Sequence, residues 1–267
     1  MTSNITEPTT IITSDKNQTV KLAKALLTQA RQRKKQGQTV LEGAHLIDAA
    51  LRSDYPFVQI LLAESAHAHA EVQQILTRLP TYTAILTLSD ALYQSIRSLG
   101  AGIDIMAIIN IPTPKLSMIH NDCLVLNDVQ DSGNVGTLLR TAAAVGIREV
   151  LCTSATAQAW SPKTLRAGMG AQFALSIYED LSTTDILESV QVPLLATSSH
   201  TDTVIYNHDL RTPIAWVMGH EGQGVCDELM QCATPIALPQ PNGQESLNVA
   251  IAGSLCLYET LRQRHYV

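Results

Sequence analysis

Hydrophobic and polar positions along this chain follow two rhythms, one with the period of a helix and one with the short unbroken runs of buried strands. Residues 19–36, TVKLAKALLTQARQRKKQ, place Leu22, Leu26 and Ala30 at helical spacing. Cations gather at the end of this stretch, where they suit a helix dipole, so it is predicted as one helix. The apolar runs TVL (39–41), FVQILLA (57–63) and IMAIINI (105–111) then alternate with the helix-like stretches AHLIDAAL, HAEVQQILTRL and DALYQSIRSL. The pattern predicts a small α/β unit over residues 19–112. Residues 113–122 fall in a stretch with two prolines and little periodicity, IPTPKLSMIHND, read as a linker. Alternation resumes over 123–267. Strands are predicted at CLVLN, EVLCT, FALSIYE, PLLATSS, IAWVMG and PIALP, and helices at 134–146, PKTLRAG, TTDILESV, CDELMQCA and from about Ser246 to the end. Repeated strand–helix–strand units imply an α/β fold with a mostly parallel sheet covered on both faces. The polar, Thr-rich residues 1–18 read as a disordered tail.

Composition narrows the class. The chain has 267 residues, 45% of them apolar. No apolar run approaches the roughly 20 residues that span a bilayer, and the N-terminus lacks the basic start and apolar block of a secretory signal. No membrane association is expected. The five cysteines form no C-x-x-C pair and read as buried, reduced thiols of a cytoplasmic protein. His67 and His69 could share a metal, but no further ligands stand at zinc-like spacing, so none is expected. The net charge of −6 is unevenly spread. RQRKK, with Arg31, Arg33, Lys34 and Lys35, is the one dense basic run. It reads either as a solvated helix face or as an electrostatic footprint for a polyanion.

Three loops that follow predicted strands carry the chemistry. In open parallel sheets, ligands collect at the C-terminal ends of strands. The first loop, NDVQDSGNVGTLLRTAAAVG (127–146), has glycines at 133 and 136, an amide at Asn134 and a single cation, Arg140, one turn beyond Gly136. It reads as a close-approach turn for an anionic ligand, with Gly136 leaving a notch beneath the guanidinium. A tight turn with a surface arginine is the plainer alternative. The second loop, VMGHEGQGV (217–225), has three glycines in six residues, and Glu221 is its fixed charge. The third, LPQPNGQESLNVAIAGSLCLYE (238–259), leads into a helix that is apolar almost all round, which implies packing against a second subunit as well as its own sheet.

In order and spacing, these three stretches resemble the motifs of the SpoU (TrmH-type) RNA ribose 2′-O-methyltransferases of the SPOUT superfamily. SPKTLRAGMGAQF (161–173) resembles a further family segment, with Gly168 where the family often has Ser. RQRKKQGQTVLEGAHLIDAAL resembles the family's L30e-like substrate-binding domain. The resemblance implies a trefoil-knotted methyltransferase domain over 123–267, a homodimer built through the knotted region, and S-adenosyl-L-methionine as methyl donor. By residue match it implies that Thr197, Gly219, Leu238 and Leu247 hold the cofactor. Asn134, Arg140, Glu221, Ser246 and Asn248 match the catalytic motif residues. Local cations at Arg31, Arg33, Lys34, Lys35, Lys163 and Arg166 are the expected contacts to substrate RNA. The expected substrate is ribosomal RNA, with tRNA as the same-chemistry alternative. A non-catalytic RNA-binding protein and a Rossmann-type nucleotide enzyme stand as alternatives of other classes. The second is disfavoured because DSGNVG supplies only G-x-x-G.

Overall fold

The computed structural model describes residues 10–241 and 246–266. The chain divides into two compact units between Pro112 and Thr113.

The first unit runs α1 (Gln18–Thr28), α2 (Ala30–Gln36), β1 (Gln38–Glu42), α3 (Ala44–Arg52), β2 (Phe57–Ala63), α4 (Ala70–Arg78), β3 (Ala84–Leu88), α5 (Asp90–Ile96) and β4 (Ile105–Asn110). Its four strands lie in the order β1-β4-β2-β3, with only β2 and β3 parallel. The single helix expected over 19–36 is two, because Gln29 is extended (φ −124, ψ 110). Arg33 is buried at this break, and its Nη1 donates to Leu26 O at 2.7 Å, satisfying a carbonyl that the end of α1 leaves free. The sequence reading missed β3. It is an edge strand whose first two residues are exposed, so its apolar signal is diluted. Of the expected tail, residues 1–9 lie outside the described residues. Residues 10–17 are structured: Ile12 N donates to Thr87 O (2.9 Å), Ser89 N donates to Ile12 O (3.0 Å), and Asn17 caps α1 through Thr19 N and Val20 N. His67 and His69 have separate structural duties. His67 Nε2 bonds Thr87 Oγ1, and His69 Nδ1 accepts from Glu71 N at the start of α4.

The second unit runs β5 (Cys123–Leu126), α6 (Ser132–Ala144), β6 (Glu149–Thr153), α7 (Pro162–Gly168), β7 (Ser176–Leu181), α8 (Thr183–Ser189), β8 (Leu194–Thr197), β9 (Ala215–Met218), α9 (Asp227–Cys232), β10 (Ala233–Ile236) and α10 (Val249–His265). The order is β10-β8-β9-β5-β6-β7, and every pairing is parallel. The central strands β5 and β9 are buried at every position, which is why they read as unbroken apolar runs rather than alternating ones. The segment expected as a linker belongs partly to this unit. Ile119 bridges Val190 in parallel, with Ile119 N donating to Ser189 O (2.8 Å) and Gln191 N donating to Ile119 O (2.9 Å). Asp122 pairs with Arg264 of α10. Three of the five free cysteines are buried as expected, whereas Cys226 is half-buried and Cys232 exposed.

α10 is apolar on two sides but buried on one. Val249, Gly253, Cys256 and Leu257 face its own sheet and α6, while Ile251, Leu255 and Tyr258 are exposed. A Cβ at Gly253 would overlap Leu138 of α6 and stand 3.1 Å from Met218 Sδ, so glycine sets how closely the helix approaches β9.

Candidate active site

All six strands of the second unit point the same way, so the loops after β5, β8, β9 and β10 leave one edge of the sheet. The chain builds outward from β5 to β6 and β7 on one side, and to β9, β8 and β10 on the other. The reversal at β5/β9 is the switch point where such sheets bind ligands.

At that point, residues just after β5 hold the glycine loop that follows β9. Asn127, only 2% exposed, clasps both ends of it: Asn127 N donates to Met218 O (2.8 Å), and Asn127 Oδ1 accepts from Cys226 N (2.7 Å). Asp128 takes the left-handed conformation (φ 59). It is secured there by Thr153, whose Oγ1 accepts from Asp128 N (2.8 Å) and is 2.5 Å from its carboxylate. The tip of the loop is fixed by Glu221. Its carboxylate accepts from Gln130 N (3.2 Å), Asp131 N (3.1 Å) and Asn134 Nδ2 (2.9 Å). Burial pushes the Glu221 carboxyl up. The hydrogen bonds from Asn134 and from the backbone of Glu221, Gln130 and Asp131 outweigh this and leave it below the ordinary carboxylate range.

Asn134 carries the network onward. Its Oδ1 accepts from Asn248 Nδ2 (3.0 Å), and Asn248 Oδ1 caps α10 through Ala250 N (2.9 Å) and Ile251 N (3.2 Å). One hydrogen-bonded line therefore runs Glu221–Asn134–Asn248 and joins all three motif loops. Both ends of the Asn134 amide are used, so its orientation is set by its partners. The cap of α10 is Asn248, and Ser246 lies exposed two residues ahead of that cap. Asp131 caps α6 through Asn134 N (2.8 Å), so that helix starts at Ser132 and not at Asn134. Sequence reasoning passed over Asn127 and Asp131. The D-x-x-N spacing of Asp131 and Asn134 was the available signal for the cap.

Arg140 stands apart from this line. It is six residues beyond Asn134 on α6, about 9 Å along the axis and a third of a turn around it. Its side chain is exposed and makes no hydrogen bond or ion pair with any described residue. Gly136 does not leave it an open notch. Gly136 is buried where α6 crosses α7: a Cβ there would lie 2.5 Å from Ala167 Cβ and 2.7 Å from Gly168 N and Thr164 O. Lys163 is exposed on α7. Arg166 is half-buried and has a partner of its own. Arg33 is spent on Leu26 O, while Arg31, Lys34 and Lys35 are exposed on α2.

The residues expected at the cofactor gather at the same sheet edge: Thr197 at the end of β8, Gly219 after β9, Leu238 after β10, and Leu247 ahead of α10. Gly219 is required by the loop itself. A Cβ there would overlap the backbone of Gly224 and Val225, which close a small hairpin through paired His220–Gly224 bonds of 2.9 Å each. This set suits a neutral, flat ligand with polar edges such as adenosine. Leu238 and Leu247 are partly exposed, no cation stands among them, and the buried Gln240 Oε1 between them in sequence has no partner among the described residues. Residues 242–245 of this loop lie outside the described residues. Burial, with Asp122 and Glu149 nearby, pushes the Cys123 thiol up to about 12, and burial raises Cys152 well above the ordinary value, so these two are held as neutral thiols.

Residues 122–258, just over half the chain, match the SpoU rRNA Methylase family, and residues 17–101 match the MRM3-like substrate binding domain. The chain is 31% identical to an uncharacterized tRNA/rRNA methyltransferase of Synechocystis sp., over 95% of this chain and 94% of that one. It is 31% identical to the 23S rRNA (guanosine(2553)-2′-O)-methyltransferase RlmP of Bacillus subtilis, over 92% and 97%. Among solved structures, an AdoMet-bound rRNA methyltransferase from Sinorhizobium meliloti superposes with a TM-score of 0.83 at 26% identity, covering 97% of this chain and 98% of that one. The chain belongs to the SpoU rRNA methylase family. It is an S-adenosylmethionine-dependent RNA 2′-O-methyltransferase.

Proposed function

We propose that this enzyme methylates one ribose 2′-hydroxyl of large-subunit ribosomal RNA in the cytoplasm, acting as a homodimer through a knotted second unit. The RNA target follows the name of the Bacillus subtilis relative. The observation that carries the catalytic reading is the Glu221–Asn134–Asn248 line, which locks three motif loops together at the switch point. Cofactor contacts are assigned to the loop edges at Thr197, Gly219, Leu238 and Leu247.

S-adenosylmethionine, when bound, supplies an electrophilic methyl group on a sulfonium. The protein's task is to present the ribose oxygen in line, exclude water and stabilise the charge that develops on that oxygen. Arg140 suits this as a clamp. A guanidinium stays protonated in proteins, and its planar fork can hold a phosphate oxygen and the developing alkoxide together. The 2′-hydroxyl proton then leaves to a phosphate oxygen or water. Asn134, Glu221 and Asn248 act as positioning residues, and Ser246 lies exposed beside them for the substrate. Lys163 is a further contact for the RNA backbone.

Dimerisation is supported by Ile251, Leu255 and Tyr258, which are 54%, 48% and 54% exposed. They recur every three to four residues along the start of α10 and form one apolar stripe. The decisive experiment incubates the purified protein with labelled S-adenosylmethionine and, separately, protein-free 23S rRNA, 16S rRNA and tRNA, then maps the 2′-O-methyl positions. Label appearing at one 23S position supports the proposal. Label confined to tRNA, or to a base rather than a ribose, overturns it.

A further inference from the structure

The charge of the chain is sorted by position more sharply than its total suggests. Residues 16–41 hold seven of the 18 Lys and Arg and none of the 24 Asp and Glu, so this stretch is +7 and the rest of the chain is −13. The structure separates these cations by use. Arg33 is internal and ties α2 back to the end of α1. Lys16, Lys21, Lys24, Arg31 and Lys35 are exposed, and their side chains meet no described partner. Elsewhere in the same unit the arginines are committed: Arg52 and Arg78 share Asp48, and Arg97 pairs with Asp104 at 2.7 Å.

Spacing sets the direction of the free cations. Lys21, Lys24 and Thr28 follow one another at three- and four-residue intervals and share the exposed face of α1. Arg31 and Lys35 share a face of α2. The opposite face of α1, with Val20, Ala23 and Leu26, is buried in its own unit.

We propose that α1 and α2 form a phosphate-tracking surface for single-stranded RNA, in which Lys21 and Lys24 contact the backbone alongside Arg31 and Lys35. This rests on the reading of RNA as the substrate. Flexible cations on a stretch of chain that carries no acids of its own neutralise phosphates without reading bases, and their affinity is set by counterion release. A membrane surface fits less well. An interfacial helix needs an apolar face to insert, and the apolar face of α1 is occupied by the protein's own core. The surface also answers a difficulty of net charge, because it gives an acidic protein a local site for a polyanion.

The test measures the Kd of the full-length protein for protein-free 23S rRNA across a salt series. Lys21→Gln/Lys24→Gln should reduce the slope of log affinity against log salt by up to ~1.4, or ~0.7 for each phosphate that is no longer neutralised. Affinity for S-adenosylmethionine and the melting temperature should stay as in the wild type. Arg52→Gln/Arg78→Gln, which removes paired cations, should leave the slope unchanged. A wild-type slope retained in the Lys21/Lys24 variant overturns the surface while leaving the RNA reading intact. Salt-independent or absent RNA binding by the wild-type protein overturns both. Binding to phosphatidylserine vesicles that is lost in the variant while RNA affinity persists would assign the face to a membrane and overturn the proposal.

Discussion

Glu221→Gln isolates the part of the site that the geometry makes most specific. One carboxylate oxygen accepts from Asp131 N and Asn134 Nδ2, and the other accepts from Gln130 N. Glutamine keeps the shape but offers only one acceptor oxygen, so its amide nitrogen must face a donor. If the oxygen stays with Asp131 and Asn134, Gln130 N–H loses its partner and meets another N–H. A hydrogen bond to a charged group contributes about 1.5–3 kcal/mol, and this one lies at the surface, where water replaces part of it. A net loss of about 1–2 kcal/mol is expected. It falls on the ordering of the 219–225 loop, because the clasp of Asn127 on both ends of that loop is untouched. If the loop must be ordered to bind the cofactor, its dissociation constant rises roughly 5- to 30-fold, at about 1.4 kcal/mol per tenfold. Titration calorimetry with S-adenosylmethionine reads this directly.

The pH profile gives an independent check. The folded carboxyl is held below its ordinary value, so its contribution is present above the unfolded pKa of about 4.3 and is lost as pH falls through the folded value. The difference in stability between wild type and Glu221→Gln should therefore shrink on acidification below about pH 4. Wild-type cofactor affinity in the variant, with a stability difference that does not change with pH, would refute the reasoning.

Three further outcomes are expected. Arg140→Lys should lose most turnover despite keeping its charge, and Arg140→Ala should lose on the order of 10²-fold or more, both with cofactor affinity near wild type, because the side chain has no described protein partner to release. Unaltered single-turnover rates in Arg140→Ala would remove it from the mechanism. Gly136→Ala should lower the melting temperature by roughly 2–8 °C, as about 2–3 kcal/mol of overpacking against Ala167, Gly168 and Thr164, less about 1 kcal/mol gained in helix propensity, leaves a net loss of about 1–2 kcal/mol; scanning calorimetry checks it, and an unchanged or raised value would mean α7 yields freely. Leu255→Asp/Tyr258→Asp should convert a dimer to a monomer in sedimentation equilibrium without unfolding it, since both side chains are exposed in the single chain; a dimer that persists places the interface elsewhere.

Much of this protein was legible before its structure. The buried parallel strands announce themselves as runs such as Cys123–Leu126, because burial on both faces removes alternation. The three loops were legible as glycine, amide and charge in fixed order, since local spacing is what a sequence records. The break at Gln29 was hidden because its cause is a contact: Arg33 reaches back to Leu26 O, and helical periodicity continues across the break. The roles of the glycines were decided by distance. Gly136 looks like an opening for a ligand but serves a close approach between helices, and Gly219 is required by the packing of its own loop as well. The hydrogen-bonded line Glu221–Asn134–Asn248 depended on the fold, because Asn134 meets Glu221 87 residues away and Asn248 114 residues away. Sequence determines which groups are available and how they sit on their own element. The order of parallel strands decides which of them share an edge, and therefore that an amide in one loop can hold a carboxylate in the second and a helix cap in the third.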